Sequence, residues 1–303
     1  MPIALASVGC TGTVAASPEA NDAEASSVTA VIAVERTSGV AATGPSGALV
    51  DGARGEAVAR VVRMRAGAVD DDALRMVGAA VDFPAVGSCS RAAAPAAATS
   101  RAVELLDVGT ITLEAEGART SLVARRLPDV TDLVSGVVYT TRSGADAFPA
   151  RGRYGIRVAG GLDHDNRDIG AFGVEASVIG EPADLRVAGQ VAGPSVTAGQ
   201  AAPDGAPGAP VVLAANAPVD VTWASGAALA FDVVYVDVAA AGAPTTRCLF
   251  TDTGHAALPA SAFAADDGTL SIHRVHREAF RAPGIDNGEL RFDFGRVVPY
   301  RRR

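Results

Sequence analysis

Few side chains in this chain have the type and spacing that chemistry needs. The run Asp163-His164-Asp165-Asn166-Arg167-Asp168 gathers Asp163, Asp165 and Asp168 within a few residues. Alternating acidic oxygens in a turn are how calcium loops collect hard ligands, so a cation held there would be calcium. Two departures weaken the pattern: Arg167 occupies a ligand position, and Val174 stands where a closing Glu would fall. A crossover loop made of turn-forming residues has the same composition. His255, His273 and His276 raise the question of zinc. In a strand, however, His273 and His276 are three apart and face opposite sides of a sheet, so they cannot share an ion. No G-x-S-x-G elbow, P-loop or dinucleotide fingerprint is present, and Ser100 and Ser195 lack a strand-turn-helix setting. The acidic pairs Asp71-Asp72 and Asp266-Asp267 fall in turns or at a helix start, with no geometry to set them against each other. The residues argue against an enzyme more than for one.

The three cysteines carry a different message. Met1 to Cys10 reads MPIALASVGC, which looks like the last part of a bacterial lipoprotein signal, with Cys10 as the residue to be acylated. It lacks a basic leading region, and Ser7 stands where Leu is usual. With Cys10 acylated, Cys89 and Cys248 remain as a pair. In an oxidising compartment they would form one disulfide, and elsewhere they would be two buried thiols.

The elements that must position these residues are strands. Val219-Asp220-Val221-Thr222-Trp223 alternates apolar and polar, giving one buried and one wet face. Similar runs lie at 57–65, 108–115, 119–124, 136–141, 153–159, 172–178, 184–187, 231–238, 247–252, 269–275 and 290–294, at the spacing of an all-β domain. Trp223, the one tryptophan, is expected in a core. One helix is expected over 70–80, where three aspartates favour an N-terminus, and one helical turn at Pro259–Phe263. The segment 1–46 reads as a signal remnant and flexible tether, in which Val28–Val34 could pair as a strand. A first β-sandwich is expected over 47–190 and a Pro/Gly-rich linker over 191–210. An immunoglobulin- or fibronectin III-like β-sandwich then follows over 211–303.

Composition narrows the partners. The 26 basic residues are all arginine, the net charge is −8 and the pI is about 5.0, which disfavours general affinity for nucleic acid. No stretch approaches the roughly 20 apolar residues of a membrane helix.

Asp220–Trp223, then Arg247-Cys248-Leu249-Phe250-Thr251-Asp252-Thr253-Gly254, then Pro259 and Leu270–Arg274 resemble the series L-x-V-x-W … C-x-F-x-D-x-G … P … L-x-V-x-R. That series marks secreted lipoproteins of myxobacterial-type bacteria. Gly109–Thr112 and Arg151–Gly161 extend the resemblance, which covers roughly 105–295. It implies a fold and a location, and brings no catalytic residues. The expectation is therefore a non-enzymatic exported protein, lipid-anchored at the outer membrane or cell surface. It would act as a binding or structural module toward a protein or glycan, with no cofactor. Two alternatives stand beside it. One is a calcium- or zinc-dependent carbohydrate-binding or hydrolytic protein using the Asp163–Asp168 loop, and the other is a self-assembling structural subunit.

Overall fold

The computed structural model describes residues 27–43, 49–64, 69–91, 103–127, 134–142, 148–162, 168–192, 210–226 and 232–303. Cys10, Asp163, Asp165 and residues 193–209 of the expected linker lie outside them.

The alternating runs form strands, in which every second side chain points to the same face. In chain order these are β1 (Val28–Thr43), β2 (Leu49–Met64), β3 (Cys89–Arg91), β4 (Val103–Leu105), β5 (Ile111–Ala115), β6 (Ala118–Ser121), β7 (Val123–Leu127) and β8 (Val134–Thr140). The middle of the chain gives β9 (Gly152–Val158), β10 (Gly161–Leu162), β11 (Asp168–Ile169), β12 (Phe172–Val178), β13 (Ala183–Val187) and β14 (Gln190–Val191). It closes with β15 (Val211–Leu213), β16 (Val219–Ala224), β17 (Val233–Ala239), β18 (Thr246–Thr251), β19 (His255–Leu258), β20 (Asp267–Ala282) and β21 (Ile285–Arg302). Helix α1 (Asp71–Met76) lies between β2 and β3, where the Asp70 carboxylate accepts from the Ala73 N–H and caps its start. A single helical turn spans Ala260–Ala262.

The protein is all-β and built as two sandwiches on one shared sheet. The largest sheet runs β3-β18-β17-β20-β21-β1-β2-β4-β8-β7, with β15 paired to the end of β21. Two smaller sheets, β12-β9-β5-β6 and β14-β13-β16-β19, cover one face of it. Strand β21 shows how. From Leu290 on, alternate side chains point inward: Leu290, Phe292 and Phe294 enter the first core, Val298 and Tyr300 the second. In the first core Tyr154 packs at 5.1 Å from Phe292. In the second, Trp223 is 5% exposed among Val221, Leu258 and Ile272. Each such side chain contributes about 1.5–3 kcal/mol on burial.

Between the two cores the inward positions turn ionic. Arg274 donates from Nε to Asp252 Oδ2 at 2.8 Å, from Nη1 to the Gly180 carbonyl at 3.0 Å and from Nη2 to the Ala224 carbonyl at 2.8 Å. Asp252 also accepts the Trp223 indole N–H at 2.6 Å and the Gly226 amide at 3.2 Å. Next to this, Glu181 accepts from Arg36 at 2.7 Å and from the Ser38 hydroxyl at 2.7 Å, with Arg296 at 3.4 Å. Buried charge tolerates such a place only when its lone pairs and protons are satisfied, as those of Asp252 are.

The structure departs from the sequence reading in how the chain is divided. The tether expected over 1–46 contains β1, which pairs antiparallel with β2 and parallel with β21. Held on both sides, β1 buries Ala30, Ile32 and Val34 on one face and Val31 and Ala33 on the other. Small side chains that look like linker composition serve here to let strands pack closely. Nor do the cores follow the divisions 47–190 and 211–303. The first core takes Leu290, Phe292 and Phe294 from the end of the chain, and the second takes Leu185 and Val187 from β13. Cys89 and Cys248 face each other across β3 and β18, joined by a disulfide with an S–S distance of 2.03 Å.

One sheet edge is closed by a side chain. Gln190 donates from its amide nitrogen to the Val212 carbonyl at 2.6 Å and accepts from the Val212 N–H at 3.1 Å. It thus copies a strand partner's two hydrogen bonds and ties β14 to β15.

Candidate functional site

The outward face of the large sheet carries a second polar cluster. Strands β20 and β21 form a long hairpin turned at Pro283-Gly284, with a bulge between Phe280 and Ala282 that shifts the register by one. Ala282 opposes Ile285, Val275 opposes Asp293, His273 opposes Gly295 and Ser271 opposes Val297. Ser271 and His273, two apart on one strand, point to the same side. Gly295 is required where it stands: a Cβ there would lie 2.5 Å from His273 Nδ1. The imidazole therefore lies down over the glycine and reaches the carboxylate beyond it.

Three groups fall in line as a result. Ser271 Oγ is 2.5 Å from His273 Nε2, and His273 Nδ1 is 2.6 Å from Asp293 Oδ1. Tyr235 of β17 donates its hydroxyl to the other carboxylate oxygen, Oδ2, at 2.7 Å. Its ring stacks on His273 with centroids 4.5 Å apart and planes 10° from parallel. Arg247 of β18 continues the stack, its guanidinium 4.5 Å from the Tyr235 centroid. It donates to both oxygens of Asp237 at 2.8 and 2.7 Å.

A strap crosses this face from α1 to β3. Its Ala79 carbonyl accepts from Arg291 Nη1 at 2.8 Å, and Phe83 packs against Tyr235 at 5.5 Å. Gly87 and Ser88 then exchange backbone hydrogen bonds with Leu249, and the Cys89–Cys248 disulfide fixes the far end. Phe83, Tyr235, Leu249, Val233 and Val275 make a small apolar cluster beneath it.

The charges are set by these contacts. Burial alone would raise the Asp293 carboxyl. The hydrogen bond and charge of His273, the Tyr235 hydroxyl and the charge of Arg291 together outweigh it and hold the pKa below the ordinary carboxylate value. Tyr235 moves the other way: burial, then the Asp293 charge and hydrogen bond, push its phenol well above the usual value. The cluster thus holds a fixed carboxylate beside a neutral phenol.

Chemically, Ser271, His273 and Asp293 have the order of nucleophile, base and orienting acid. Among the described residues, the backbone amides beside them are not free to take negative charge on a reacting carbonyl. Ser271 lies on a strand paired on both sides, to Asp237 on β17 and Val297 on β21, so the ladders engage the neighbouring amides. Losing one oxyanion-hole donor costs about 100- to 1000-fold in rate.

The residues singled out from sequence fall elsewhere. Asp168 lies in β11, opposite Leu162, while Asp163 and Asp165 are outside the described residues. His276 points inward, its Nδ1 2.7 Å from Asp232 Oδ1, whereas His273 points outward; His255 is exposed near Asp220. The three do not meet. Among the described residues no group of three His, Cys, Asp or Glu side chains is placed to hold a metal ion, and no helix is long and apolar enough to cross a membrane. The sequence reading missed Ser271, Asp293 and Tyr235, and missed what His273 does. The S-x-H spacing in a strand was the available signal; the bulge between Phe280 and Ala282 shifts the hairpin register, so counting from the Pro283-Gly284 turn does not lead to Asp293.

No protein-family model matches the chain, and no curated protein matches it.

Proposed function

We propose that this protein is an exported β-sandwich module that works at the cell surface by binding or by holding structure, without turnover, anchored through an acylated Cys10. The observation that carries the reading is the Cys89–Cys248 bond, which sits against the second core and joins positions 159 residues apart. Disulfides of this kind persist in oxidising compartments, and a reducing cytosol would keep the thiols apart. The resemblance to secreted lipoproteins supports the same location. The absence of amides free to form an oxyanion hole beside Ser271 supports binding over catalysis. A protein or glycan is the partner class that suits a surface module of net negative charge.

The experiment is an intact-mass measurement on natively expressed protein from separated cell fractions, with and without reductant under alkylating conditions. The reading expects a chain starting at Cys10 with added acyl mass, in the membrane fraction, whose Cys89 and Cys248 alkylate only after reduction. A soluble chain with an unmodified Cys10 and freely alkylating cysteines would overturn it.

A further inference from the structure

We propose that Ser271 is an activated nucleophile and the acceptor site for covalent acylation by small activated esters. Three observations carry this. The hydroxyl lies 2.5 Å from an imidazole nitrogen, within reach for proton transfer. The opposite nitrogen lies 2.6 Å from Asp293, which fixes the tautomer that leaves Nε2 free to accept. The ring itself cannot swing away, because Tyr235 stacks on one side of it and Gly295 lets it lie against the backbone on the other. Ser271 is half-buried on the outward face.

The step balances within these groups. Ser271 Oγ attacks the acyl carbon while its proton passes to His273 Nε2. The carbon–oxygen bond to the leaving group breaks, and the imidazolium returns that proton to the departing oxyanion. The product is an ester on Ser271 and a free alcohol or phenol. With no amide free to stabilise the tetrahedral oxyanion, only esters with good leaving groups react, and hydrolysis of the acyl-serine is slow. The site is accordingly one of single modification. This inference does not depend on export: an unmodified Cys10 would leave it untouched, and an inert Ser271 would leave the surface role untouched.

The test uses p-nitrophenyl acetate on the full chain, with peptide mass spectrometry to locate the acetyl group. Positioned general-base help is worth about 100- to 10,000-fold, so Ser271 in the folded protein should acetylate at least about 100-fold faster than in urea-unfolded protein. Release of p-nitrophenol should stop near one equivalent. The variant Ser271→Ala should lose that burst, and His273→Gln should slow it by a similar factor while circular dichroism stays unchanged. If His273→Gln does not fold, the comparison of folded with unfolded wild type decides alone. Failure of Ser271 to acetylate in the folded wild type, or equal rates folded and unfolded, would overturn the proposal. Equal rates in a folded His273→Gln would do the same.

Discussion

Replacing Asp252 by Ala tests how two cores are held on one sheet. The side chain is fully buried and accepts from Arg274 Nε and Nη2, the Trp223 indole and the Gly226 amide. Removing it leaves a guanidinium that is 4% exposed with only carbonyl partners, and an indole N–H with none. Breaking a buried ion pair from one side costs about 3–5 kcal/mol, and an orphaned buried donor about 1–3 kcal/mol. The two penalties share one cavity into which water can enter, so we expect a combined loss of about 5 kcal/mol, a large fraction of the roughly 5–15 kcal/mol that stabilises a domain. Trp223 is the one tryptophan and touches the site, so its fluorescence through a guanidinium titration reads the loss directly. The double variant Asp252→Ala/Arg274→Met removes the stranded charge and should recover about 2 kcal/mol relative to Asp252→Ala alone. A loss below about 1 kcal/mol for Asp252→Ala, or a double variant whose cost is the sum of the singles, would refute the reasoning.

Three further outcomes follow. Trp223→Ala should cost about 3–5 kcal/mol in a guanidinium titration followed by circular dichroism, and a near-zero value would place the indole outside the core. Reducing Cys89–Cys248, or replacing both cysteines by Ala, should cost about 3–5 kcal/mol because the bond closes a long loop, with one cooperative transition retained; a two-step transition would show that the shared sheet does not couple the cores. The Asp293 pKa is depressed in the folded state, so its stabilisation is present above the ordinary carboxylate value and fades as the pH falls through the lower one. As the pH falls below the ordinary carboxylate value the wild type should therefore lose more stability than Asp293→Asn, and parallel pH profiles would contradict this.

How much of this could be read beforehand depends on sequence distance. The alternation in Val219–Ala224 and Gly152–Val158 announces strands whose buried residues sit where the pattern puts them. The turn at Ala260–Ala262 and the Asp70 cap are equally local and equally legible. Strand neighbours are not. The parallel pairing of Val34 with Phe292, or the antiparallel pairing of Cys89 with Cys248 across β3 and β18, leaves no periodic trace in either segment. The Ser271–His273–Asp293 line was half legible: S-x-H lies on one strand, but the acid arrives only once the hairpin register is fixed and Gly295 makes room. The ionic seam was invisible because Arg274 and Arg296 occupy positions where alternation calls for an apolar side chain.

The parallel pairing of β1 with β21 also bears on synthesis. Strand β1 ends at Thr43, and its partner begins at Ile285. A ribosome delivers one long before the other, so the first core cannot close until β21 has been made. Until then β1 and β2 present an apolar hairpin with an unmatched edge, the kind of surface that chaperones hold and that aggregates when they do not. Contacts of such long range make slow folding.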